Sequence, residues 1–165
     1  MNLKKRALSL LGVSALLLTT ALPSSANTGE VELLQTMHDL GVTIVANTSG
    51  CKPKVDGMFN ISTNTLTLCN YSGSPDSNDR DTVRHEAWHF LQSCAVKRHT
   101  YPGMQTFNTT AANFAKFVSM MSPAKIANIK ENYSSDVHAV ELEAFAAAEA
   151  YPASYIAKLI RQHCS

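Results

Sequence analysis

What this chain of 165 residues lacks narrows its roles before any motif is read. It has no surplus of either charge: the formal net charge is +1, and charged residues make up 16% of the sequence. With no basic surplus to neutralise phosphates and no acidic tail, nucleic acid is not expected as a partner. None of the four cysteines stands in a Cys-x-x-Cys spacing, which argues against a tetracysteine zinc module. No internal repeat is present, which excludes a solenoid. Long apolar runs are missing too, with one exception at the start. Lys4, Lys5 and Arg6 precede an uncharged run from Ala7 to Leu22, and Pro23-Ser24-Ser25-Ala26 follows it. That run is shorter than the roughly 20 residues a membrane span needs. It reads as a secretory signal peptide cut after Ala26, leaving residues 27–165 as one domain with no membrane attachment, secreted or periplasmic.

The cysteines agree with export. Cys51, Cys69, Cys94 and Cys164 all lie beyond the leader, and an even number in a small exported chain implies disulfides. Of the three possible pairings, Cys51–Cys69 and Cys94–Cys164 are expected. The first pair brackets a predicted hairpin whose strands bring its ends together. The second joins a core-facing position of one helix to the end of the last.

Against this background one stretch carries chemistry: His85-Glu86-Ala87-Trp88-His89. Histidines four residues apart lie one above the other on a helix face, so both can offer a ring nitrogen to one zinc ion. Glu86, turned roughly 100° from His85, sits beside such a metal, where a general base for an activated water must be. The motif reads as zinc-assisted hydrolysis, most often of a peptide bond.

Around it the pattern is α+β. Thr28 caps a helix over Glu30–Leu40 that Gly41 ends, with His38 on its surface. Val42–Ala46 is a strand and 47–50 a turn, and Gly57–Asn60 with Thr65–Cys69 form a hairpin around Ser62-Thr63-Asn64. A loop over 70–78 leads to the motif helix, which starts at Asp79 or Asp81 and runs to Val96. Its core face is Val83, Ala87, Phe90, Leu91 and Cys94. Gln92 falls near the histidine face, where a solvent-facing glutamine is expected in preference to one touching the site. After a loop over 98–106 that holds Tyr101-Pro102-Gly103, Thr109 or Thr110 caps a helix through Met121, and Pro123 opens another through Ile129. Ser134-Ser135-Asp136 caps an alanine-rich helix from Val137 that Pro152 stops, and a last helix covers 153–162.

A catalytic zinc site needs a third protein ligand. Phe90 to Thr100 holds only His99, so the short His-x-x-Gly-x-x-His type of extension is missing. Glu141, Glu143 and Glu149 on the alanine-rich helix remain. At roughly 100° per residue, Glu141 lies within the apolar stripe of Val137, Val140, Ala144, Phe145 and Ala148, while Glu143 points nearly the other way and Glu149 to the flank. A carboxylate in an apolar stripe is costly unless it is paired or bound to metal, so Glu141 is the expected ligand. Glu143 and Glu149 are expected to be solvated charges.

These two segments resemble the zinc peptidases with a glutamate third ligand, the gluzincins. Glu141-Leu142-Glu143-Ala144 through Pro152 is similar to the corresponding helix of the ImmA/IrrE-type peptidases and, more loosely, of the CAAX-processing and HtpX-type peptidases. The resemblance implies a zinc peptidase with a minimal zincin fold, here in an exported bacterial form whose leader and disulfides depart from those families. In that fold an edge hairpin lies beside the active-site helix, an extended substrate adds to it as a strand, and the C-terminal half is mostly helical. The chain departs from those families at Phe145, where an aspartate or asparagine supports a ligating histidine. His138, Tyr133 and Tyr151 are the candidates for stabilising the transition state, and the sequence does not choose among them. Two other readings share the motif: a binding protein stabilised by zinc, and a zinc amidase acting on a cell-wall amide.

Overall fold

The computed structural model describes residues 28–46, 51–52, 55–69, 71, 77–99, 104–108 and 110–165. The leader and its cleavage after Ala26, the turn over 47–50, Tyr101-Pro102-Gly103, Thr109 and most of the loop over 70–78 lie outside them. The described residues form an α+β fold of six helices and one three-stranded sheet, with a C-terminal half that is mostly helical.

Helix α1 (Thr28–Asp39) turns Leu33 and Met37 inward at helical spacing. It ends at Gly41, whose φ of 86° is one that side-chain-bearing residues rarely adopt. The chain then enters β1 (Thr43–Ala46). Strands β2 (Gly57–Asn60) and β3 (Thr65–Leu68) form the expected antiparallel hairpin, with Phe59 opposite Leu66. Its turn is held by Asn60, whose Oδ1 accepts from the backbone N–H groups of Ser62 at 2.9 Å and Thr63 at 3.2 Å. β1 joins the far side of β3 in parallel, so the order is β1-β3-β2 and β2 is an edge.

Helix α2 (Ser77–His99) carries the motif and is longer at both ends than its pattern suggested, so Arg98 and His99 are helical and not part of a loop. Val83, Ala87, Phe90, Leu91 and Cys94 are buried as expected. Thr110 caps α3 (Ala111–Val118) by accepting from Asn113 N–H at 3.3 Å, and α3 stops short of Met121. Ser122 caps α4 (Pro123–Asn132), with Pro123 in its first turn, where a missing N–H costs nothing.

Helix α5 (His138–Ala150) departs from expectation at its start. Val137 holds the cap position and makes no side-chain cap bond, so Ser134-Ser135-Asp136 does not cap it. The physical reason is that the chain first makes a turn closed by Val137 N–H to Ser134 C=O, at 3.1 Å, before becoming helical. Pro152 separates α5 from α6 (Ala153–His163), which buries Ile156 and Ile160. Arg161 fastens α6 to α1, donating to Thr36 Oγ1 at 2.9 Å and to Glu32 Oε1 at 3.2 Å.

Both expected disulfides are present, Cys51–Cys69 beside the hairpin and Cys94–Cys164 between the back of α2 and the end of α6. The second spans 70 residues of sequence. In the chain-entropy account a loop of that size contributes about 4 to 5 kcal/mol. A Cys94→Ala/Cys164→Ala protein should therefore melt about 10 to 20 °C lower than wild type by calorimetry. The Cys51→Ala/Cys69→Ala protein, which opens a loop of only 18 residues, should lose less.

Among the described residues no helix is long and apolar enough to cross a membrane.

Candidate metal centre

The site is built where α5 crosses α2. His85 and His89, one turn apart on α2, are 7% and 4% exposed, and Glu141 in the first turn of α5 is 8% exposed. Glu141 Oε2 lies 3.4 Å from His85 Nε2, Glu141 Oε1 lies 3.5 Å from His89 Nε2, and the two Nε2 atoms are 3.1 Å apart. Tetrahedral ligands at about 2.0–2.1 Å from a zinc ion are spaced about 3.3–3.4 Å from one another, so these separations fit one ion. The donor set fits as well: two imidazoles and one carboxylate form a common three-ligand set for zinc. Among the described residues the buried Glu141 Oε2 has no hydrogen-bond partner, which is costly for a carboxylate oxygen unless a cation meets it. His85, His89 and Glu141 together can hold a metal ion.

The charges of the site act on one another. Burial pushes the Glu141 carboxyl up, but His85 and His89 outweigh it and hold the pKa down at about 2. Burial disfavours a charged His89, yet Glu141, Glu86 and Gln92 more than offset this and raise its pKa. Glu86 is 6% exposed. Gly57 of β2 faces it: a side chain there would bring its Cβ to 3.2 Å from Glu86 Cγ and 2.5 Å from Thr82 Cγ2. The glycine thus lets the edge strand lie directly on the motif helix at Glu86.

The three candidates for transition-state stabilisation part company. Tyr133 is 36% exposed, and burial together with the charges of Glu141 and Glu86 pushes its pKa up to about 12. Its hydroxyl, protonated at neutral pH as in any tyrosine, lies in the field of both carboxylates. His138 Nε2 is 2.8 Å from the backbone carbonyl oxygen of Tyr133, so that nitrogen is spent on holding the chain. Tyr151 completes a triangle of rings with Trp88 and Phe117, at 5.8 and 5.3 Å, so its ring is used in packing.

Two expectations fail here. Glu143 is not a solvated charge: it is fully buried and accepts five hydrogen bonds. Oε2 accepts from Trp88 Nε1 at 3.2 Å, Gln92 Nε2 at 2.8 Å and Phe107 N–H at 2.6 Å. Oε1 accepts from Asn108 N–H at 2.7 Å and Asn108 Nδ2 at 2.8 Å. The angular argument assumed one wet face, but α5 packs against α2, α3 and α4, and its alanines let neighbours close in on several sides. Glu149, beyond that packing, is exposed and pairs with Lys125, as a flank charge should. Gln92, expected to face solvent, is also fully buried, with its Oε1 2.7 Å from His89 Nδ1. A signal for both was present in the pattern: a polar residue on each of two helices that must cross at the site. Phe145 meets its expectation of altered support, since its ring packs on His85 at 4.2 Å and His85 Nδ1 has no hydrogen-bond partner among the described residues.

The fold and site define an α+β protein with a buried His-His-Glu group able to hold a metal ion. Compared with protein-family models, curated proteins and solved structures, the chain has no match in any of the three.

Proposed function

We propose that the protein is an exported zinc peptidase of the glutamate-ligand type that its motif helices resemble. The observation that carries this reading is the convergence of His85, His89 and Glu141 in a buried cluster with Glu86 beside it. A purely structural metal site has no need of a carboxylate between its ligands. A zinc ion held there would supply a Lewis acid and make a water acidic near neutral pH. Glu86 accepts the proton of the water that attacks the scissile carbonyl carbon and delivers it to the departing amine nitrogen. Tyr133, kept protonated, donates a hydrogen bond to the oxygen on which negative charge develops. The edge strand β2 offers its free side to an extended peptide, which brings the scissile bond past Glu86. Two disulfides support an oxidising compartment, secreted or periplasmic.

The test is metal analysis of the purified chain beside hydrolysis of an unfolded protein substrate. One zinc per chain and chelator-sensitive cleavage, restored by added zinc, are expected. Glu141→Gln should lose most of its zinc, because an amide replaces a charged ligand. A chain that holds zinc and cleaves no peptide would instead favour a binding role.

A further inference from the structure

The geometry points to Gln92 and Glu143 as positioning residues that set the tautomer of His89 so that its Nε2 meets the metal unprotonated. The assignment rests on the metal-site reading above and follows from counting protons. Glu143 Oε2, an acceptor without a hydrogen of its own, lies 2.8 Å from Gln92 Nε2. The backbone carbonyl of Val140, also only an acceptor, lies 3.0 Å from the same atom. An atom held between two acceptors must be the amide nitrogen, and both of its hydrogens are then used. The remaining amide atom is the oxygen, itself only an acceptor, and it faces His89 Nδ1 at 2.7 Å. Nδ1 must therefore carry the hydrogen. In a neutral ring Nε2 is then bare, and Nε2 is the atom turned toward His85 and Glu141.

Glu143 cannot turn away from this task. Its other four donors come from α2 and from the segment before α3, so the carboxylate is locked from two directions. A flipped Gln92 would set its oxygen against two acceptors and its NH₂ against a ring that needs to keep Nε2 free. Among the described residues His85 Nδ1 has no such relay, and the Phe145 ring packs against this histidine instead. The two histidines are thus held by different means.

Zinc affinity of the full chain, measured by competition with a chromophoric chelator, tests the assignment. Gln92→Met keeps the volume and removes the acceptor, and it should bind zinc about 10-fold to 100-fold more weakly than wild type, the usual loss for such a partner. A merely structural role would lower the melting temperature of the metal-free protein and leave its zinc affinity unmoved. Should Gln92→Met not fold, the ¹⁵N shifts of His89 in metal-free wild type at alkaline pH decide: the Nδ1–H form is expected. Wild-type affinity in Gln92→Met, or an Nε2–H tautomer in the wild type, would overturn the assignment. A wild type that binds no zinc but shows the Nδ1–H form would sink the metal reading and leave the hydrogen-bond relay standing.

Discussion

A Glu86→Gln protein is expected to keep its zinc and its fold while losing hydrolysis by about 10²-fold to 10⁴-fold, the usual contribution of a general base. The proposed ligands His85, His89 and Glu141 are untouched by the change, and the amide is nearly isosteric with the carboxylate. Glu86 makes room for no bulkier group, since β2 passes over it at Gly57. Trp88, the only tryptophan, reports on the fold. It is buried, donates to Glu143 and stacks with Tyr151, so its fluorescence should be unchanged in the variant. Activity and metal content are measured on the same preparation. Full activity in a variant with full zinc would remove Glu86 from the mechanism.

The largest effect on stability is expected at Glu143. Glu143→Ala leaves the N–H groups of Trp88, Gln92, Phe107 and two of Asn108 without their acceptor. The Trp88 and Gln92 donors are buried, and each costs about 1–3 kcal/mol when left unpaired, whereas the part-buried donors of Phe107 and Asn108 cost less. Water entering the space left behind would recover part of this, but a net loss above about 4 kcal/mol is expected. That rivals the whole stability of a small domain, about 5–15 kcal/mol. Denaturant unfolding should show a large fall in midpoint, or no folded protein at all. Glu143→Gln keeps one acceptor oxygen and should fall between the two. A Glu143→Ala protein as stable as the wild type would mean that its five partners find water instead.

The same residue shows where sequence reading stopped. Glu141 was legible because a carboxylate at the middle of an apolar stripe has few affordable partners, and periodicity alone places it there. Glu143 was misread because periodicity describes one helix against one neighbour. Which of its sides are wet depends on how many other elements pack there. Gln92 failed for the same reason. Its angle relative to His89 follows from helical geometry, but its burial depends on Glu143 and Val140 arriving from another helix.

Among the three candidate stabilisers the sequence had no means to choose. Tyr133, His138 and Tyr151 flank the same helix, and only packing separates the one near the site carboxylates from the one stacked on Trp88.

By itself the sequence determined what short-range geometry controls: the two histidines on one helix face, Glu86 beside them, the hairpin around Ser62-Thr63-Asn64, the apolar stripe bearing Glu141 and the elements that bring the cysteines together. The tertiary structure alone decided that Gly57 of β2 lies against Glu86, that Tyr133 feels the charges of Glu141 and Glu86, and that Glu143 and Gln92 form a hydrogen-bonded chain to His89. These depend on the crossing of α2 with α5, and the angle and depth of a helix crossing come from packing many side chains at once.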